Sequence, residues 1–384
     1  MIKIINQNLD KIALDYSIRI KAQCKDRALF FQNIIDVIYN GNPLNSVQVH
    51  HLHGNIRKSI ANTILLDANK ITSSNNFSNA IHANLKPWVN LNITHINNIL
   101  TSLANDAILD GLITKMPQDL LDLEVAILNG HQITPAVYQT IKPIINTIIN
   151  YNLFDYFAYE IGTNLEINTC PYCNRVYINT VINKKTSRQI IRPTFDHFFS
   201  QKEHPLLALS FYNLIPSCYY CNSNLKGDYE MSLTTHLHPY LDGFDNDFNF
   251  NILIKDIKPD ISHPDNYHIY INTRLNNNNP KFIKVLNNND PNYEGKDGNV
   301  NLFKLNAIYQ SHTDIVGEIV LKCDKLSKGH SDSLHYIFGL LKTNKVEFYR
   351  YYFSNYFNEL DFKRRPLAKL TKDIVTQVLP FFIK

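Results

Sequence analysis

Glycine, methionine, tryptophan and cysteine are scarce in this 384-residue chain, at 12, 3, 1 and 6 residues. So few cysteines at this length exclude a disulfide-stapled framework. Beyond Phe244 no glycine-rich loop of the kind that cradles phosphates occurs. No stretch reaches the roughly 18 uncharged apolar residues that a membrane-spanning helix needs. The opening MIKIINQNLDKIALDYS breaks its apolar run with Asn, Gln, Asp and Lys too early for a secretory leader, so the expectation is a soluble, cytoplasmic chain with no membrane partner. Charge of one sign is lacking too. Lys plus Arg is 38 against 34 Asp plus Glu, so the net charge is only +4, too small for the whole surface to grip a polyanion. A nucleic-acid site must therefore be a local patch. What is present is a hydrophobic content of 44% with 19% charged residues, which excludes wholesale disorder and, at this length, implies two or three domains or one elaborated one.

Residues 1–160 read as a mainly helical N-terminal region: Phe30, Ile34, Val37 and Ile38, and later Ile93, Ile96, Ile99, Leu100 and Leu103, recur three or four apart. Pro87, Pro117, Pro135 and Pro143 read as helix starts or breaks. The cluster His50, His51 and His53 lacks a second group of convergent ligands. From 161 to 245 the pattern changes. Short apolar runs, Val176 to Val181 and Gln189 to Phe195, flank the polar NKKTSR and predict a β-hairpin. A short helix is predicted from Ser217 as N-cap to Lys226, stopped by Gly227. Residues 246–384 begin irregular and Asn-rich, then turn helical from about Leu302. The aromatic stripe Tyr349, Tyr352, Phe353 and Tyr356 there is read as core.

Four of the six cysteines form two C-x-x-C pairs, Cys170 with Cys173 and Cys218 with Cys221, whereas Cys24 and Cys323 stand alone as buried thiols. Each pair sets two thiolates on one turn, and two such turns close a tetrahedral site with Zn–S bonds of about 2.3 Å. The 44 residues between the pairs exceed ordinary zinc-ribbon spacing, which leaves a redox dithiol as an alternative. Two pairs bracketing a segment too small to bury its own core favour structural zinc.

Between the pairs lie Asp196-His197 and Asn213, with Asn222 directly after Cys221. A single-metal phosphodiesterase needs an anionic oxygen ligand, a neutral oxygen ligand and an imidazole to take a proton from water. Asp196, Asn222 and His197 supply these types, and Mg²⁺ or Mn²⁺ suits the oxygen donors. Neighbouring side chains on a strand face opposite ways, so Asp196 and His197 serve one centre only if the strand ends or bends there. Lys226, four residues after Asn222, lies on the same helical face, able to meet a phosphate or to neutralise the helix end.

The segments FDHFFSQKEHPLLALSFYNLIPSC and CNSNLKGD resemble the HNH, or ββα-metal, endonucleases of the branch clamped by two C-x-x-C knuckles, over about residues 165–228. KRRPLAKLTKDI and HLHPYLDGFD more weakly resemble segments found beside this module in stand-alone HNH proteins of anti-phage systems of the retron and Septu types. The resemblance implies an α+β fold: a small zinc-stabilised ββα-metal module inserted between mainly helical N- and C-terminal regions. It further implies that His197 is the general base, that Asp196 and Asn222 ligate Mg²⁺ or Mn²⁺, and that Asn213 steadies the loop that orients the base. The family's frequent proline after this run is Ser200 here.

The implied function is metal-dependent endonucleolytic hydrolysis of nucleic acid, DNA first, leaving 5′-phosphate and 3′-hydroxyl ends, in an anti-phage effector whose partner could be an ATPase. Arg175, Lys184, Lys185, Arg188, Arg192, Lys202 and Lys226 are candidate nucleic-acid contacts. Two other classes stay open: a zinc-stabilised nucleic-acid-binding module without catalysis, and a regulatory subunit that keeps the HNH fold as a scaffold.

Overall fold

The computed structural model describes residues 1–42, 45, 47, 48, 86–256, 258–288, 293–326 and 344–380; His50, His51 and His53 lie outside them. Two compact units emerge. One comprises residues 8–161 and 199–214, the other 1–7, 162–198 and 215–384. The three-part division expected from composition therefore differs from the packing: residues 162–198 and 215–245 share their unit with 246–384, while 161 and 199–214 fold with the N-terminal helices.

The first unit is helical. Among the described residues its helices include α1 (Leu9–Tyr39), α2 (Lys86–Ala104), α3 (Asp106–Thr114), α4 (Pro117–Gly130) and α5 (Pro135–Ile148). Along α1 the buried face runs through Tyr16, Ile20, Cys24, Ala28, Phe31, Ile34, Ile35 and Ile38 at helical spacing; Phe30 and Val37, expected on it, are only partly covered. α2 buries Val89, Ile96, Ile99, Leu100 and Leu103. Pro117 and Pro135 open α4 and α5, where a missing N–H costs nothing. Pro143 neither starts nor breaks a helix. It lies inside α5, and the apolar row Ile141, Ile144, Ile145 and Ile148 buried around it offsets a penalty of roughly 3 kcal/mol.

Residues 199–214 are stitched into these helices by side chains. Tyr16 Oη donates to the Leu209 carbonyl at 3.0 Å, Tyr212 Oη to Asp10 at 2.7 Å, Lys142 Nζ to the Lys202 carbonyl at 2.8 Å, and Ser210 Oγ to the Leu112 carbonyl. Buried Glu124 accepts from Tyr138 Oη at 2.8 Å and shares a 2.5 Å hydrogen bond with His204.

Among the described residues the second unit carries three two-stranded sheets: β1 (Val181–Ile182) with β2 (Gln189–Ile191), β3 (Thr194–His197) with β4 (Leu214–Ser217), and β5 (Phe248–Ile254) with β6 (Tyr267–Thr273). The predicted hairpin survives as the short, exposed β1–β2 pair. The later part of its second run turns away into β3, whose partner lies some twenty residues downstream.

β5 and β6 pair in antiparallel register from Phe248 opposite Thr273 to Ile254 opposite Tyr267. Helices cap both edges with side chains. Asp373 and Gln377, on α6 (Ala368–Val378), accept from the Phe250 and Ile252 N–H groups, each at 2.9 Å. On the other edge Asn306 accepts from the Ile271 N–H, while Gln310 accepts from the Ile269 N–H and donates to the Ile269 carbonyl. Satisfying these ladder groups removes the template for further strand pairing. The aromatic core includes Phe250 against Tyr309, with ring centroids 4.1 Å apart, and Tyr349, fully buried as the stripe predicted. Tyr352 and Tyr356 from that stripe are partly exposed. Among the described residues no helix is long and apolar enough to cross a membrane.

Candidate metal centre and the adjoining acidic site

The Cys170 knuckle begins at a bridge between Thr169 and Tyr177, with the Cys170 N–H bonded to the Val176 carbonyl at 3.0 Å. Closing so tight a turn puts Asn174 at φ 48°, in the left-handed region that Asn tolerates better than most residues. Asn174 is buried and well anchored: its amide donates to Thr169 Oγ1 and to the Phe362 carbonyl, and its side-chain oxygen accepts from the Lys369 N–H. The second knuckle follows β4. Ser217, expected as a helix N-cap, is instead the last residue of that strand, and the helix is π-wound from Tyr220 to Lys226. Its last turn closes through Gly227, at φ 54°, whose N–H bonds to the Asn222 carbonyl at 2.8 Å.

These two turns bring the Sγ atoms of Cys170, Cys173, Cys218 and Cys221 within 4.8 Å of one another, all four residues buried. Cys173 and Cys218 are 4.0 Å apart, close to the sulfur–sulfur edge of about 3.8 Å that a tetrahedral thiolate site with 2.3 Å bonds requires. Burial pushes the Cys170 thiol up, while hydrogen bonds from its three neighbours hold Cys218 down. The donor set thus fits a structural metal ion, and with four sulfurs it leaves no open position. Cys24 and Cys323 are buried and not part of this cluster, each pushed up to about 12 by desolvation.

The knuckle also reaches the acidic site. Tyr172, between the first two cysteines, is fully buried, stacks on Phe303 and donates its hydroxyl to Asp196 Oδ2 at 2.7 Å. The other oxygen, Oδ1, lies 3.1 Å from Lys226 Nζ, with both side chains only 2% exposed, and the same ammonium donates to the His197 carbonyl at 2.8 Å. Asp196 therefore faces inward, at the end of β3, between a phenol and a cation. His197, the last residue of that strand, is half-buried, and Asn222 is half-buried on the π-helix.

Asn213 belongs to the helical unit. It is fully buried, accepts from the Phe199 N–H at 2.7 Å, and donates to the Phe199 and Leu207 carbonyls at 3.1 and 3.0 Å. It thereby fixes the backbone that follows the Asp196-His197 pair in sequence.

The basic candidates separate into kinds. Lys184, Lys185 and Arg188 stand exposed on the turn of β1–β2 and its flank, and from Asn174 to Phe195 the chain contains no acidic residue. Arg192 is half-buried against its own strand end, where it donates to the Pro193 carbonyl. Arg175 is committed to His312 at 2.8 Å and lies over the Tyr309 ring. Lys202 is exposed but sits in the helical unit, and Lys226 is buried with Asp196.

Two features were not anticipated from the sequence. The partnership of Tyr172 with Asp196 joins residues 24 apart, for which local patterning gives no signal. Tyr219 and Tyr220, the two residues inside the second knuckle, are 61% and 59% exposed, unusual for adjacent aromatics on a rigid turn. No family model, no curated protein and no solved structure matches this chain.

Proposed function

We propose that this protein is a nucleic-acid phosphodiesterase of the HNH type, its four-cysteine cluster filled by structural zinc and His197 serving as general base. The observation that carries this reading is the succession β3, β4, π-helix around one acidic centre. Asp196 and His197 end the first strand, the four cysteines gather beside the turn from the second strand into the helix, and that helix carries Asn222 in its first turn and sets Lys226 on Asp196. Zinc is favoured over a redox pair because four thiols converge, whereas dithiol exchange needs two with solvent access. The acid-free basic hairpin at Lys184, Lys185 and Arg188 supports a polyanionic substrate, with phosphate contacts positioning the backbone.

In the reaction His197 takes a proton from the attacking water, and Asn213 holds the following backbone so that the imidazole keeps its orientation. A divalent cation on the oxygens of Asp196 and Asn222 would supply charge stabilisation at the departing oxygen. The oxygen donors suit Mg²⁺ or Mn²⁺ by type. As arranged, however, Lys226 occupies one oxygen of Asp196. This engagement favours a second reading, a zinc-stabilised nucleic-acid-binding or regulatory module whose Asp196 pair is purely structural.

Plasmid nicking with Mg²⁺ or Mn²⁺ separates the two. His197→Ala is expected to lose about 100-fold to 10,000-fold in cleavage while keeping its zinc. Equal cleavage by variant and parent would defeat the enzyme assignment. The anti-phage role and an ATPase partner extend the same reading, and expression of the parent and of His197→Ala in a phage-challenged host tests them.

A further inference from the structure

We infer that Lys226 is an exchangeable internal cation: it neutralises Asp196 until a nucleic-acid phosphate draws it away, so that substrate and divalent cation bind cooperatively. The inference rests on the nuclease reading and concerns the same site. Its basis is an arrangement with three parts. Asp196 Oδ2 accepts from a neutral donor, the Tyr172 hydroxyl at 2.7 Å, and that oxygen keeps lone pairs able to bind a cation. Oδ1 is held at 3.1 Å by the Lys226 ammonium, and both side chains are only 2% exposed. A divalent ion bonded to this carboxylate at roughly 2.0–2.6 Å would stand only a few ångströms from the ammonium, and in so desolvated a place the repulsion is severe.

Lys226 can move without unfolding its helix. It is the last residue of the π-helix, directly before the positive-φ Gly227, and its Nζ hangs on a flexible four-carbon stem. Besides Asp196, its other anchor among the described residues is a neutral carbonyl, that of His197 at 2.8 Å. A phosphate diester entering beside His197 offers a full anionic charge in exchange. The released carboxylate then has an uncompensated buried charge, for which a divalent cation is the matching partner. Linkage makes the effect reciprocal: whatever factor nucleic acid adds to cation affinity, the cation adds to nucleic-acid affinity.

The test is Mn²⁺ binding to the zinc-loaded full chain, read from the electron paramagnetic resonance signal of free Mn²⁺. It is run with and without a cleavage-resistant phosphorothioate DNA hairpin bearing single-stranded tails. In the parent the DNA should tighten Mn²⁺ binding about 5-fold to 150-fold, the ordinary range of coupling between sites. Lys226→Met should bind Mn²⁺ tightly without DNA and gain less than about twofold from it, its coupling free energy having been removed. Lys226→Gln, which keeps hydrogen-bond donors for Asp196 and the His197 carbonyl, repeats the measurement should the methionine variant fold poorly. Zinc content and thermal unfolding establish which variants are native. Asp196→Asn should abolish the site in every background.

If Lys226→Met and Lys226→Gln bind Mn²⁺ no tighter than the parent while Asp196→Asn removes binding, the exchange is overturned and the metal-dependent nuclease reading stands. If no Asp196-dependent binding appears although the parent nicks plasmid, the exchange is again overturned, because the working cation then sits elsewhere. Absence of both binding and nicking overturns the exchange together with the nuclease reading.

Discussion

At one end of β3 and β4 four identical sulfurs meet; a few residues away a phenol, a carboxylate and an ammonium meet instead. The thiols Cys170, Cys173, Cys218 and Cys221 are useful only together, since four buried thiolates tolerate one another only around a cation. Tyr172, Asp196 and Lys226 satisfy one another without any ion. The first arrangement is closed and suits a permanent scaffold. The second is neutral overall and asymmetric, which suits exchange. Tyr172 belongs to both, because the knuckle that carries it also carries two of the sulfurs. The Tyr172 side chain thus links the cysteine cluster directly to Asp196, and this is what lets the comparison be broken experimentally.

The largest effect is expected from Cys218→Ser. Structural zinc binding is worth on the order of 10 kcal/mol, comparable with the whole stability of a domain, so this variant should lose both its metal and the cooperative unfolding of its unit. Elemental analysis beside calorimetry checks it, and an unchanged melting transition in metal-free protein would show that the cluster is not the scaffold.

A smaller effect is expected on binding. Replacing Lys184, Lys185 and Arg188 together by Ala should weaken nucleic-acid affinity regardless of sequence. The slope of log affinity against log salt should shrink by up to about 3, roughly 1 for each phosphate no longer neutralised, with zinc content and melting unchanged. Fluorescence anisotropy over a salt series measures it. An identical slope would locate the polyanion site away from the hairpin.

Asn213→Ala should come next, at about 1–3 kcal/mol in stability, because it leaves the buried Phe199 N–H without its acceptor and removes two donated bonds. Urea unfolding detects the loss. If Asn213 also steadies the base, cleavage should fall further than the stability change alone accounts for.

The shallowest effect is a dependence on pH. Burial lowers the pKa of His236, which is held by Thr235 and by the Lys296 carbonyl. The unfolded chain then binds a proton that the folded chain resists. Stability is therefore full above the ordinary imidazole value of about 6.5 and declines as pH falls below it toward the depressed folded value. His236→Gln should flatten this part of the stability profile, measured by chemical denaturation at intervals between neutral and acidic pH. A profile of unchanged slope would mean that other groups govern it.

Features carried by short spacing were legible in the chain alone. Two C-x-x-C pairs meet in one cluster, Cys24 and Cys323 are buried thiols, the N-terminal stripes make helices, and an Asp-His pair ends a strand, as its use at one centre requires. In each case the signal and the structure span no more than a few residues, or else the pairing partner is chemically unmistakable. Even there register slipped where neighbours compete, as with Phe31 taking the core position expected for Phe30.

The remainder was settled by packing in three dimensions. It made residues 199–214 part of the helical unit, drew β3 away from the predicted hairpin to pair with β4, capped both edges of β5–β6 with side chains, and set Tyr172 and Lys226 on Asp196. These outcomes depend on which polar groups remain unsatisfied once the apolar faces have packed. That balance is struck between residues tens to hundreds of positions apart, and a period of 2 or about 3.6 residues carries no record of it.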